Sequence, residues 1–137
     1  MSEIQVLLDP EKIPDRASWQ GELKEAQLPA VFGPMFDPAK SRGRQTVIFK
    51  GAATFFELKV DEVGKDDCPD ELKEFLGDRN TIVTFFFGGD LKAFGASVSA
   101  AATLASLADG IYFDALERRV HFAGEVITMA QVATEGL

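Results

Sequence analysis

The residues able to do chemistry are few and scattered. His121 is the only histidine. It alternates with Val120 and Phe122, so in a strand its imidazole points to the face opposite theirs. Acid–base or nucleophilic work by histidine needs a companion, and neither a triad partner nor a metal-ligand spacing accompanies it. Cys68, the only cysteine, lies among Asp66, Asp67 and Asp70. Those carboxylates raise a thiol pKa, whereas a nucleophilic thiolate needs the opposite surroundings. The same acids, with Glu71, have the charge of a calcium loop but not the ligand order or central glycine of an EF-hand. Gly88-Gly89-Asp90 leads into a helix, and helix N-termini hold phosphate. Asp90 would repel an anion, so capping is its better use. Lys40, Arg42 and Arg44 form a small basic group with no glycine-rich loop beside them, and are expected to be solvated. The expectation is a chain with no catalytic residue, no cofactor and no metal.

Composition narrows the partners. The 137 residues carry 22 acids against 14 Lys and Arg, a net charge of −8. Phosphate backbones and anionic membranes need clustered cations, so neither nucleic acid nor a membrane surface is expected. One cysteine rules out an internal disulfide. The first residues, Met-Ser-Glu-Ile-Gln, lack the basic and apolar regions of a signal peptide. The longest uncharged run, Ala93 to Ala108, is short and carries Ser97, Ser99, Thr103 and Ser106. A cytoplasmic protein is expected.

The charge is not evenly spread. From Glu57 to Asp78 nine acids face only Lys59, Lys65 and Lys73. Such a surface steers a basic protein toward it. The candidate contact residues are therefore Asp61, Glu62, Asp66, Asp67, Asp70, Glu71, Glu74 and Asp78. Tyr112 joins them, because tyrosine combines contact area with a polar handle; Trp19 could lie at the same rim.

These residues must be held by elements that the pattern suggests. Thr81 to Phe87 is β-branched and aromatic throughout and suits a central strand. Asp90 then caps a long alanine-rich helix, 91–108, with Gly110 at the position of a left-handed C′ glycine. That helix has no charge between Lys92 and Asp109 and looks covered on both sides, by a terminal helix or by another subunit. Ile111 to Phe113 resumes as a strand, Arg119 to Ala123 as another, and Val126 to Thr134 as a last helix. Upstream, Ile4 to Leu8 reads as an edge strand or an ordered arm. Asp15 starts a helix over Arg16 to Gln27. Residues 30–44 read as loop, with Met35 and Phe36 tucked onto the core. Gln45–Phe49 and Thr54–Val60 read as an antiparallel pair joined through Lys50-Gly51-Ala52-Ala53, with Leu58 and Val60 on the core face. Pro69 suits the first position of a short helix. The sum is one α+β domain over 1–137, a mostly antiparallel sheet with helices packed on it. The unit through helix 91–108 either pairs its strands in parallel or skips a neighbour.

Pro14-Asp15-Arg16-Ala17-Ser18-Trp19, Phe85-Phe86-Phe87-Gly88-Gly89-Asp90, Leu104-Ala105-Ser106-Leu107-Ala108-Asp109-Gly110 and Tyr112-Phe113-Asp114 together resemble a group of small bacterial cytoplasmic proteins. That group is associated with interbacterial toxin loci of the contact-dependent and type VI secretion kinds. The resemblance implies an immunity-type inhibitor, a non-catalytic module whose acidic surface occludes a basic cognate toxin. Two other functions fit the residues: a homo-oligomeric structural or regulatory protein that pairs through helix 91–108, and a small enzyme using two carboxylates of raised pKa in one pocket.

Overall fold

A computed structural model describes residues 1–137. Its strands are β1 (Ser2–Leu8), β2 (Ala30–Phe32), β3 (Gly43–Phe49), β4 (Ala52–Glu62), β5 (Thr81–Phe87), β6 (Ile111–Asp114) and β7 (Arg119–Phe122). Its helices are α1 (Arg16–Glu25), α2 (Leu91–Ala108) and α3 (Val126–Thr134), with short 3-10 turns at Pro10–Lys12 and Asp70–Phe75. The strands form one sheet in the order β2-β3-β4-β5-β1-β6-β7, and every neighbouring pair is antiparallel. The α+β expectation holds.

β5 is the centre of this sheet, and six of its seven residues are buried, as its unbroken apolar run requires. β1 is not an edge strand: it lies between β5 and β6. Ile4, Val6 and Leu8 face the helices and Leu7 the other side, all buried. β5 and β6 both run antiparallel to β1, so they are parallel to each other, and the crossover through α2 skips one strand.

Helix α2 occupies the stretch that its caps delimit. The Asp90 carboxylate accepts the Lys92 N–H at 3.0 Å. At the other end the left-handed position, φ 49°, belongs to Asp109 and not to Gly110. Gly110 is needed for a different reason. A Cβ there would lie 3.0 Å from the Leu7 carbonyl oxygen and from Val6 Cγ1, so a side chain would force β1 to give by a few tenths of an ångström, and glycine lets the chain pass this close without that shift.

The uncharged faces of α2 are covered by the chain itself. Nearly all its residues from Ala93 to Ala105 are buried, between the sheet, α1 and α3. The Trp19 indole N–H on α1 donates to the Ala100 carbonyl at 3.1 Å and to the Thr103 hydroxyl at 2.9 Å. Gln131 on α3 donates to the Ala26 carbonyl at 2.8 Å and ties the two covering helices together. The cover that helix 91–108 calls for is thus supplied by α1, α3 and the sheet, and its small residues serve close helix packing within one chain. By length and composition alone α2 could cross a membrane, but most of it is buried inside the protein.

Three local expectations also change. Residues 30–44 contain β2 and the start of β3. Phe36 is buried but Met35 is 89% exposed, so only one of the two anchors that segment. In the β3–β4 hairpin Phe49 pairs with Ala52, which leaves Lys50 and Gly51 alone in the turn, with φ of 51° and 78°. Two positive φ values in a two-residue loop match the twist of the strands.

Candidate functional site: the outer face of the sheet

Strand alternation sends half of the sheet's side chains away from the helices. On that outer face Leu7, Ile82, Ile111 and Phe113 form a second, smaller core with Cys68 and Leu72. The acidic segment is what covers them. Leu72 and Cys68 anchor it inward, Phe75 packs edge-on against Phe122 at 5.4 Å, and the acids turn to solvent. Pro69 stands just before the 3-10 turn Asp70–Phe75, not inside an α-helix.

Several of those acids are already engaged. Asp61 pairs with Lys59 at 3.5 Å and Asp70 with Lys73 at 2.7 Å. Arg118, from the β6–β7 turn, forms an ion pair with Glu71. These contacts hold the Asp70 and Glu71 carboxyls below their ordinary values, first through hydrogen bonds from Lys73 and Arg118. Asp67 accepts the Gly64 N–H at 2.6 Å and so closes its own turn. Glu62, Asp66, Glu74 and Asp78 are exposed and make no ion pair.

This cover reaches only one half of the outer face. Across β2, β3, β4 and β5 the other half is open. Val31 pairs with Ile48, Thr46 with Phe55 and Glu57 with Phe86, so Val31, Ile48, Phe55 and Phe86 form a diagonal apolar stripe. Val31 is 48% exposed, Ile48 43% and Phe55 38%. Arg44 lies with its guanidinium 3.7 Å above the Phe55 ring, and Glu57, Lys59 and Asp61 continue the same face of β4 toward the acidic segment. Phe56 and Leu58, of opposite parity, are buried under the helices, as the alternation predicts.

Tyr112 is not part of this surface. It is 2% exposed and faces the helices, opposite His121 across the β6–β7 pair. Burial, and then the charge of Asp114, push its phenol pKa far up. Trp19 is buried as well. In a run as apolar as Ile111-Tyr112-Phe113, nothing in the sequence tells which face a side chain takes. Conversely, Val31, Ile48 and Phe55 escaped the reading. The signal was the parity of Phe55 with Glu57 and Lys59, which marks it as outward.

The residues considered for chemistry are spread through the fold. His121 is half-buried, its Nδ1 4.0 Å from a Glu125 carboxylate oxygen. Cys68 is buried, and burial, followed by Asp67, raises its thiol pKa. A cavity of about 540 Å³ between the start of α1 and the 36–42 segment holds two acids, Asp15 and Asp37. Asp15 caps α1 by accepting the Ser18 N–H at 2.7 Å, which lowers its pKa, the reverse of what a carboxyl acid needs. Arg42 lines this cavity, while Lys40 and Arg44 do not.

No protein-family model, no curated protein and no solved structure matches the chain. The resemblance to small toxin-locus proteins rests on its quoted segments.

Proposed function

We propose that this chain is a protein-binding module that acts without chemistry, and that its contact surface is the open half of the outer sheet face together with the acidic rim beside it. The observation that carries this reading is the stripe Val31, Ile48 and Phe55, exposed on a rigid sheet and bordered by charge. Apolar side chains grouped on a surface and rimmed by polar ones are the usual mark of a contact site. A standard interface takes about 800 Å² from each partner, against a total accessible surface of 7105 Å² here. Three or four side chains cannot supply that area alone, so the contact must extend to the acids. Glu62, Asp66, Glu74 and Asp78 would then meet a basic surface. Asp61, Asp67, Asp70 and Glu71 shape the rim through their internal bonds. The partner is a basic protein and, in the sense of the resemblance, a cognate toxin whose active site is occluded in the cytoplasm.

The test is affinity capture from the native host with this protein as bait, at low and at moderate salt. One basic partner that is lost as salt rises supports the reading. The variants Ile48→Glu and Phe55→Glu should release it, because each puts a desolvated charge into the contact centre. Capture that ignores both salt and these two variants would remove the proposal.

A further inference from the structure

Between β4 and β5 the chain leaves the sheet and returns to the same place. Glu62 pairs with Thr81, and the Val63 N–H donates to the Asn80 carbonyl at 2.8 Å. Residues 64–79 are therefore a closed-neck loop of the Ω kind, folded down over β1, β5 and β6. The backbone bonds of its turns join near neighbours: Asp67 to Gly64 at 3.4 Å, Leu72 to Pro69 at 2.9 Å and Leu76 to Lys73 at 3.4 Å. None of these reaches the sheet, and two are long for an N–H donor. Asp70–Phe75 is a 3-10 turn, whose hydrogen-bond geometry is poorer than that of an α-helix.

A short set of side chains holds the loop down. Leu72 and Cys68 are buried against Leu7, Ile82, Ile111 and Phe113, and Phe75 and Leu76 are partly buried beside them. Glu71 adds its ion pair with Arg118, but both side chains keep contact with water, where such a pair contributes little. The loop also carries six acids against Lys65, Lys73 and Arg79, so its closed form gathers like charge. Near its far end Gly77 has φ 135°, a backbone state open to glycine. Arg79 fixes the return leg by donating from Nε to the Asp109 carbonyl at 3.1 Å. Few buried side chains, local backbone bonds and a fixed neck mark a segment that opens separately from the rest of a fold.

We propose that residues 64–79 are a lid that swings away as one unit about the Val63–Asn80 neck, while the strands stay paired, and so uncovers Leu7, Ile82, Ile111 and Phe113. Those four side chains lie on the same outer face as Phe55 and Phe86. An open lid extends the apolar face from β2 across to β6. The lid thereby sets how much of that face a partner can reach. This last consequence rests on the contact proposed above, whereas the opening does not and is measured without a partner.

Cys68 is the reporter, since it is the only cysteine and is buried on the underside of the lid. The experiment follows its labelling in the whole folded protein by 4,4′-dithiodipyridine, at concentrations where the rate is proportional to reagent. This disulfide is neutral, so the acids do not repel it. In low urea the labelling rate should rise with less than about half the logarithmic slope of the global unfolding equilibrium, because a lid exposes a small share of the chain's surface. Leu72→Ala removes the fully buried anchor and should speed labelling without urea by about tenfold or more. Trp19→Phe acts on the helix side of the sheet. It should leave the rate within about twofold, even though it shifts the folding equilibrium by about 25-fold or more. A urea slope of about half the global value or more would overturn the proposal. So would a Trp19→Phe rate that rises in step with its lost stability, or a Leu72→Ala rate equal to the parent's. A thiol that reacts as fast in the folded protein as in the unfolded one would overturn it too, since nothing would then be closed.

Discussion

Trp19 is the bolt between α1 and α2, and replacing it with Phe gives a worked test of how the helical layer is held. The indole N–H donates to the Ala100 carbonyl and to the Thr103 hydroxyl. In Trp19→Phe neither acceptor is orphaned. Thr103 still donates its hydroxyl to the Ser99 carbonyl at 2.8 Å, and Ala100 remains within a helix. The polar loss is thus one net hydrogen bond, about 1 kcal/mol. The smaller ring also weakens edge-on contacts with Phe32, Phe36 and Phe85, at centroid distances of 4.9, 5.6 and 6.4 Å. Contacts of this kind contribute about 0.5–1.5 kcal/mol each, and a Phe at the same site keeps part of them. The expected destabilisation is about 2–3 kcal/mol, or about 7–10 °C in Tm for a chain of 137 residues. Urea unfolding followed by far-UV circular dichroism reads it without the missing fluorophore. Thr103→Val should cost about 1 kcal/mol, and the double variant less than the sum by a similar amount, because both remove the same bond. Strict additivity, or a Trp19→Phe variant within about 0.5 kcal/mol of the parent, would refute this account of the interface.

Gly110→Ala should destabilise by at least about 1–2 kcal/mol, because its Cβ meets the Leu7 carbonyl oxygen at 3.0 Å and backbone cannot yield as a side chain does; chemical denaturation checks it. Asp15 has a folded pKa below its ordinary 3.8 because it accepts the Ser18 N–H. Its contribution to stability is therefore present above that value and lost as the pH falls through the folded pKa. Asp15→Asn should flatten the stability profile below about pH 4 and lower the plateau above it, as acid titrations of the melting temperature would show. Cys68 is buried with a raised thiol pKa, so a thiol reagent should label it in the unfolded protein and scarcely in the folded one.

The elements that were legible in the sequence are those whose signals are local. Asp90 and the uncharged run behind it defined α2, and the apolar spacing of Val126, Met129, Ala130 and Ala133 defined α3. Thr81–Phe87 announced a strand buried on both faces by having no polar alternation. Sheet order is different, since it depends on pairings remote in the chain. Nothing near Ile4 shows that it will meet Phe85 on one side and Asp114 on the other. The same holds for the cover on α2. Its small residues predicted a close neighbour, but only the fold shows that α1 and α3 supply it. At the candidate site the acids of 61–78 were legible as charge. Their pairing with Lys73 and Arg118 was not, nor was the open half of the sheet. Phe55 and Phe56 are identical neighbours, and which of them faces solvent is decided by the partner strands.

The most direct test of the binding account is the salt-dependent affinity of the captured partner for the parent protein and for a triple charge reversal at Asp66, Glu74 and Asp78, three exposed acids without internal ion pairs. If the outer face is the contact, the parent should lose affinity steeply between low and moderate salt. The reversed protein should keep its melting temperature within about 2 °C, as surface changes do, while its association slows by tenfold or more. An association rate and affinity unchanged by the three reversals, in a protein that melts like the parent, would contradict the account.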